Sequence, residues 1–112
     1  MTQGKVTSRK SAHNERTYTD ADGTIGVVYH NTEIVTIRPD GFVTLNTGGW
    51  LTTSTMTHIR KALRRHKLPG NVSRAGGVFV YFVNHWQDNG APPWQETHAS
   101  ADGRTITFKV QP

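Results

Sequence analysis

The sequence predicts an α+β domain: an antiparallel sheet of five to six strands in the order β-β-β-α-β-β-β, with one helix packed on one face. Three observations carry that prediction. Apolar residues alternate with period two at 25–29, 33–38, 42–46 and 104–110. Residues 56–63 are the only segment with apolar spacing of period 3.6, and turn chemistry separates the runs at short intervals. Strands on either side of a lone amphipathic helix, joined by tight turns, pair antiparallel and bury one sheet face under that helix.

Residues 1–23 read as a flexible basic tail preceding a domain over 24–112. Lys5, Arg9, Lys10 and Arg16 sit among Ser, Thr, Gln and Asn, with Val6 and Tyr18 the only large apolar groups after Met1. Such a stretch buries too little surface to offset its ordering entropy. Asp22-Gly23 is a turn. Ile25, Val27 and Tyr29 alternate with their neighbours as a first strand, and residues 33–38 form a second. Pro39-Asp40-Gly41 then turns the chain, because Pro presets φ, Asp bonds locally and Gly tolerates positive φ. Residues 42–46 complete a meander.

Thr47-Gly48-Gly49 ends the sheet run. Trp50 is expected to be buried under the helix start, with Trp50→Ala costing on the order of 3 kcal/mol or more. Thr52, Thr53, Ser54 and Thr55 offer hydroxyl N-caps. The spacing of Met56, Ile59, Ala62 and Leu63 predicts a helix of about three turns from residue 54 or 55 to 67, stopped by Leu68-Pro69-Gly70. Residues 71–74 are read as a short strand. Residues 78–83, β-branched or aromatic throughout, are read as the central strand buried on both faces. Residues 84–103 are read as a long polar loop holding Trp86 and Trp94, and at least one of these rings is expected in the core. Asp102-Gly103 turns into the last strand.

Composition removes several classes. The 112 residues suit one domain. Cysteine is absent, which excludes disulfides, thiol catalysis and thiolate metal sites. No apolar run is long enough to span a bilayer. The first ten residues hold no apolar signal segment, and a cytoplasmic protein is expected. A P-loop, a GxSxG elbow and a carboxylate pair with assignable roles are all missing, so no enzyme activity and no cofactor are expected. The six histidines show neither HxH nor HExxH spacing. Zinc could be held only by an assembled set such as His85, Asp88 and His98, and no metal is expected.

Charge distribution is the informative feature. The net charge is +5, and the sequence pI is about 10.0. No Asp or Glu occurs in residues 41–87, yet Arg60, Lys61, Arg64, Arg65, Lys67 and Arg74 do. Arg60 with Arg64, and Lys61 with Arg65, are like-charge i,i+4 pairs with no acid placed nearby in sequence, costing a few tenths of a kcal/mol. A solvated face with cations at the helix C-terminus accounts for Arg64, Arg65 and Lys67. It does not account for the whole acid-free segment. The candidate nucleic-acid-binding set is therefore Arg60, Lys61, Arg64, Arg65, Lys67 and Arg74, assisted by Thr52 and Ser54 at the helix start.

Glu33 to Gly41, then Leu45-Asn46-Thr47-Gly48-Gly49-Trp50 with Thr52 and Ser54-Thr55, resembles a widespread family of small tailed-bacteriophage proteins. The likeness continues through Gly77-Val78-Phe79-Val80 and Asp102-Gly103, covers roughly residues 25–110 and is densest at 33–59. The chain departs from that pattern at Met56, His58 and Arg60. The family carries no established activity; the resemblance implies a phage origin and action in a bacterial host's cytoplasm. The expectation is a non-catalytic phage protein that binds nucleic acid, DNA ahead of RNA, through its basic helix face. The alternative is an interaction protein that modulates a host protein through a sheet edge or the Trp loop.

Overall fold

The structure, a computed structural model, describes residues 15–85 and 89–110. Its strands are β1 (Glu15–Thr19), β2 (Ile25–Tyr29), β3 (Thr32–Ile37), β4 (Phe42–Asn46), β5 (Asn71–Ala75), β6 (Val78–His85), β7 (Trp94–Ala99) and β8 (Thr105–Lys109). One helix, α1 (Thr53–Arg65), lies between β4 and β5. The fold is α+β, with an antiparallel five-stranded sheet in the order β1-β2-β3-β4-β8 and an antiparallel three-stranded sheet in the order β5-β6-β7.

The meander of β2, β3 and β4 forms because alternation puts Val27, Val35, Val43 and Leu45 on one face, all fully buried. One departure from strict alternation matters. Val27 pairs with Val35, but Val28 pairs with Glu33, so Ile34 is an extra residue in the register. This bulge lets both Ile34 and Val35 enter the core. After β4 the chain leaves the sheet, builds α1 and the second sheet, and returns as β8. There Val43 faces Phe108 and Leu45 faces Ile106 on the core side, while Thr44 and Thr107 share a hydrogen bond of 3.1 Å on the other.

Helix α1 lies against β2 and β3 of the large sheet and β5 of the small one. Met56, Ile59, Ala62 and Leu63 supply its buried stripe, and Val72, Phe79 and Tyr81 close the core from the small sheet. Tyr81 joins the two sheets: its ring stacks on Phe108 at 4.0 Å and its hydroxyl donates to the Pro69 carbonyl at 2.7 Å. Gly70 is required beneath it. Its φ is +94°, and a Cβ there would come within 2.5 Å of the Tyr81 ring. Burial pushes the Tyr81 hydroxyl up to about 12, with the Glu96 charge adding to it.

Four expectations are corrected. Strand β1 occupies residues 15–19, inside the stretch read as a tail; residues 1–14 lie outside the described residues. Composition hid β1 because its ordering comes from specific pairing. Tyr18 lies over Gly26 and donates to Glu33 Oε1 at 2.5 Å, and the buried Glu15 meets α1. The run at 78–83 is central only in the small sheet and is buried on one face: Phe79 and Tyr81 are enclosed, while Val78 is 41% exposed. The expected polar loop contains β7, whose alternation is carried by Glu96 and His98 instead of apolar residues. Trp50 is not buried; it is 67% exposed.

Gly26 has no room for a side chain, because a Cβ would come within 2.3 Å of the Tyr18 ring. The far end of that ring can swing away, so Gly26→Ala is expected to cost about 1–2 kcal/mol, the worth of its packing and its bond to Glu33. Urea unfolding of Gly26→Ala, Tyr18→Ala and the double variant checks this, the double variant losing clearly less than the sum of the two.

Candidate nucleic-acid interface

The buried stripe of α1 fixes where its cations go. Lys61, Arg64 and Arg65 are exposed, and Arg60 is half-buried. Arg60 reaches sideways to β5, where its Nε and Nη2 both donate to the Val72 carbonyl, at 3.2 and 3.0 Å. Arg74 donates from Nη1 to the Leu51 carbonyl at 3.1 Å. Neither acceptor carries a charge, so both guanidinium charges remain uncompensated. Arg65 differs: its Nη2 donates to Glu15 Oε1 at 3.2 Å, and the Glu15 side chain is only 3% exposed. His58 Nδ1 lies 3.5 Å from the other Glu15 oxygen. The structure therefore supplies from β1 the acid that the sequence lacks near the helix, and it ties Arg65 to the fold. Lys61 and Arg64 make no ion pair among the described residues.

Lys67 closes the helix in an uncommon way. The Leu68 N–H donates to the Leu63 carbonyl at 2.8 Å, and the Lys67 N–H donates to that of Arg64 at 3.1 Å. This is a Schellman motif, whose left-handed position usually takes glycine. Here Lys67 holds it with φ 56°. An exposed cation thus stands just past the helix C-terminus despite an unfavourable backbone. Beside it, burial lowers the pKa of His66, helped by the Arg65 charge, and its Nε2 is enclosed without a hydrogen-bond partner among the described residues. His66 therefore adds no charge to the face.

At the helix start Thr52 is the N-cap. Its hydroxyl accepts from the Thr55 N–H at 3.2 Å and donates to the Thr55 hydroxyl. Ser54 shares a 2.5 Å hydrogen bond with the Tyr29 hydroxyl, and the Tyr29 ring stacks on His58 at 3.9 Å. Both candidate hydroxyls thus have structural work, and the site separates into a cationic end and a hydroxyl-rich end.

Between β4 and the helix start stands a loop that displays Trp50. Thr47 is buried; its N–H donates to the Arg104 carbonyl, its Oγ1 accepts from Gly49 N–H, and its carbonyl accepts from Trp50 N–H. Asn46 Oδ1 accepts from Gly48 N–H at 2.8 Å. Gly48 and Gly49 both take positive φ, 67° and 89°, and a Cβ on Gly48 would sit 2.8 Å from the Thr32 hydroxyl. The two left-handed residues throw the indole outward, beside a cleft of about 390 Å³ lined by Tyr29, Asn31, Thr32 and Ile34 among others. The Gly-Gly pair was the sequence signal for this display, and the capping run after it pointed instead to a packed ring.

Several acids are engaged away from α1. Asp22, Asp40 and Asp102 each accept from backbone N–H groups of their own turns, which holds the Asp22 and Asp102 carboxyls below their usual range. Glu96 accepts from or pairs with both His85 Nε2 at 2.9 Å and His98 Nε2 at 2.6 Å, and these bonds lower its pKa. The ring nitrogens considered for zinc thus face a carboxylate, Asp88 lies outside the described residues, and no cluster of three metal-ligating residues forms among the described ones. Trp94 stays half-exposed against His85 at 4.1 Å, and Trp86 is outside the described residues.

Two of the cations should separate by stability. Arg65→Gln removes a charged partner from a buried carboxylate and should cost about 1–2 kcal/mol, while Arg64→Gln should stay within about 0.5 kcal/mol, both read by urea unfolding. Lys67→Gly relieves the left-handed position and should stabilise the fold by about 1 kcal/mol in the same measurement.

No family model, no curated protein and no solved structure matches this chain.

Proposed function

We propose that this protein binds nucleic acid, without catalysis, through the outer face of α1, with Lys61 and Arg64 contacting phosphates and Lys67 extending the face at the helix end. The observation that carries the reading is the exposure of these three cations with no acid paired to them among the described residues, beside a Glu15 already engaged by Arg65. Arg60 and Arg74 flank the face and keep their charge, since carbonyls hold them. Phosphates would relieve the mutual repulsion of such a cluster, which supports a polyanionic partner over a bare solvated surface. Thr52 and Ser54 are spent on the cap and on Tyr29 and are not assigned phosphate contacts. The phage resemblance supplies the proposed setting, a bacterial cytoplasm, with DNA the first partner to test.

A host protein is the second reading. It is favoured by Trp94, which is 52% exposed on β7, a strand that pairs only with β6 among the described residues.

Fluorescence anisotropy of a labelled duplex over a salt series tests the proposal. Log affinity should fall steeply with log salt, and Lys61→Gln with Arg64→Gln should flatten the slope by about 2. The double variant should unfold at the wild-type urea midpoint. Wild-type protein that binds neither DNA nor RNA at low salt overturns the reading in favour of a host-protein partner.

A further inference from the structure

We propose that the cleft beside Trp50 holds an unpaired base of a single-stranded nucleic acid, whose phosphates then run along the outer face of α1. This rests on the phosphate-binding reading and names what that face binds. The Trp50 indole is 67% exposed, although Asn46, Thr47, Gly48 and Gly49 each have a bonding or steric role in shaping the loop that carries it. A loop built this firmly to present one aromatic face provides a stacking platform.

The cleft suits an uncharged planar ring. Its volume of about 390 Å³ is within the range of small-ligand sites. No Asp, Glu, Lys or Arg lines it, and His30 places one imidazole at its side. Tyr29 and Trp50 give it aromatic walls. The Asn31 amide and the Thr32 hydroxyl also line it, and neither side chain makes a hydrogen bond among the described residues. An amide offers both a donor and an acceptor, which is what the edge of a base requires.

The cations lie outside the cleft, where a sugar-phosphate chain would pass. Arg74 is bonded to the carbonyl of Leu51, next to Trp50, and the Arg104 guanidinium lies within 4 Å of where a Gly49 Cβ would be. Neither forms an ion pair among the described residues. Ser54 borders the cleft, and Lys61 follows on the same side of the helix two turns later, about 10 Å along its axis. The platform, the uncharged cleft and the exposed cations therefore form one track. In a duplex the bases are paired and stacked, and none is free to enter.

The test compares fluorescein-labelled oligothymidine with the same strand in a duplex, by anisotropy at low salt. Wild type, Trp50→Ala, Trp50→Phe and the Lys61→Gln, Arg64→Gln double variant are measured. Trp50→Ala should weaken oligothymidine binding about tenfold and leave duplex binding within about twofold. Trp50→Phe should recover most of the loss. Intrinsic tryptophan emission should be quenched by oligothymidine in wild type and not in Trp50→Phe. Urea midpoints of both Trp50 variants should match wild type. Oligouridine replaces oligothymidine in a parallel arm, and binding of either in this pattern supports the cleft. If Trp50→Ala binds oligothymidine like wild type while the double variant binds weakly, the cleft proposal is overturned and the phosphate face stands. If Trp50→Ala loses affinity and the double variant does not, the cleft stands and the face falls. Equal losses on single strand and duplex overturn the unpaired-base assignment, and a wild type that binds no oligonucleotide overturns both.

Discussion

A helix can bury only one stripe, and in this protein both sheets compete for the same one. Met56, Ile59, Ala62 and Leu63 are nearly inaccessible because β2 and β3 meet them from one side and β5 from another. That shared burial fixes the rotation of α1 about its axis. Once it is fixed, Arg60 must reach sideways to Val72, Arg65 must swing toward β1, and Lys61 and Arg64 are left facing water. The same placement brings the helix start against Tyr29, so that α1 borders the cleft at one end and carries the cations further along.

The electrostatics follow from where the acids find partners. A buried carboxylate is costly unless it is paired, and Glu15 is accommodated by Arg65 and by the nearby His58 ring. Glu33 accepts from Tyr18 and Thr36, and Glu96 is taken up by two histidines. Burial and the bond to Glu33 together hold the Tyr18 hydroxyl well above its ordinary range, so the Tyr18–Glu33 contact persists with the phenol protonated. With six acids engaged on β1, β3 and β7 and in turns, none of them meets Lys61 or Arg64 on the outer face of α1.

Trp50 shows how a turn overrides hydrophobicity. A large indole after a sheet strand and before a helix reads as core, because burial of its area is favourable. Two successive glycines with positive φ, anchored by Thr47 and Asn46, settle the direction of the chain before packing can act on the ring. The exposure is thus imposed by backbone geometry, and it leaves an aromatic face available beside a hydroxyl-lined cleft.

Local periodicity sufficed for β2 to β4, α1, β6 and β8, because those elements bury one face and alternation or 3.6-residue spacing records it, although the helix closes at Arg65, two residues before the expected end. It also isolated the acid-free segment. What it could not contain was any feature made by residues far apart. Strand β1 was invisible because Glu15 and Tyr18 are stabilised by Arg65 and Glu33, and β7 because its inward positions are Glu96 and His98. The bulge at Ile34 and the split into two sheets depend on which strand β4 accepts as its second neighbour. The division of the cations into those bonded within the fold and those without such a bond is likewise tertiary: side-chain reach gave Arg60 and Arg74 carbonyl partners and Arg65 a carboxylate, while sequence alone listed them as equals with Lys61, Arg64 and Lys67.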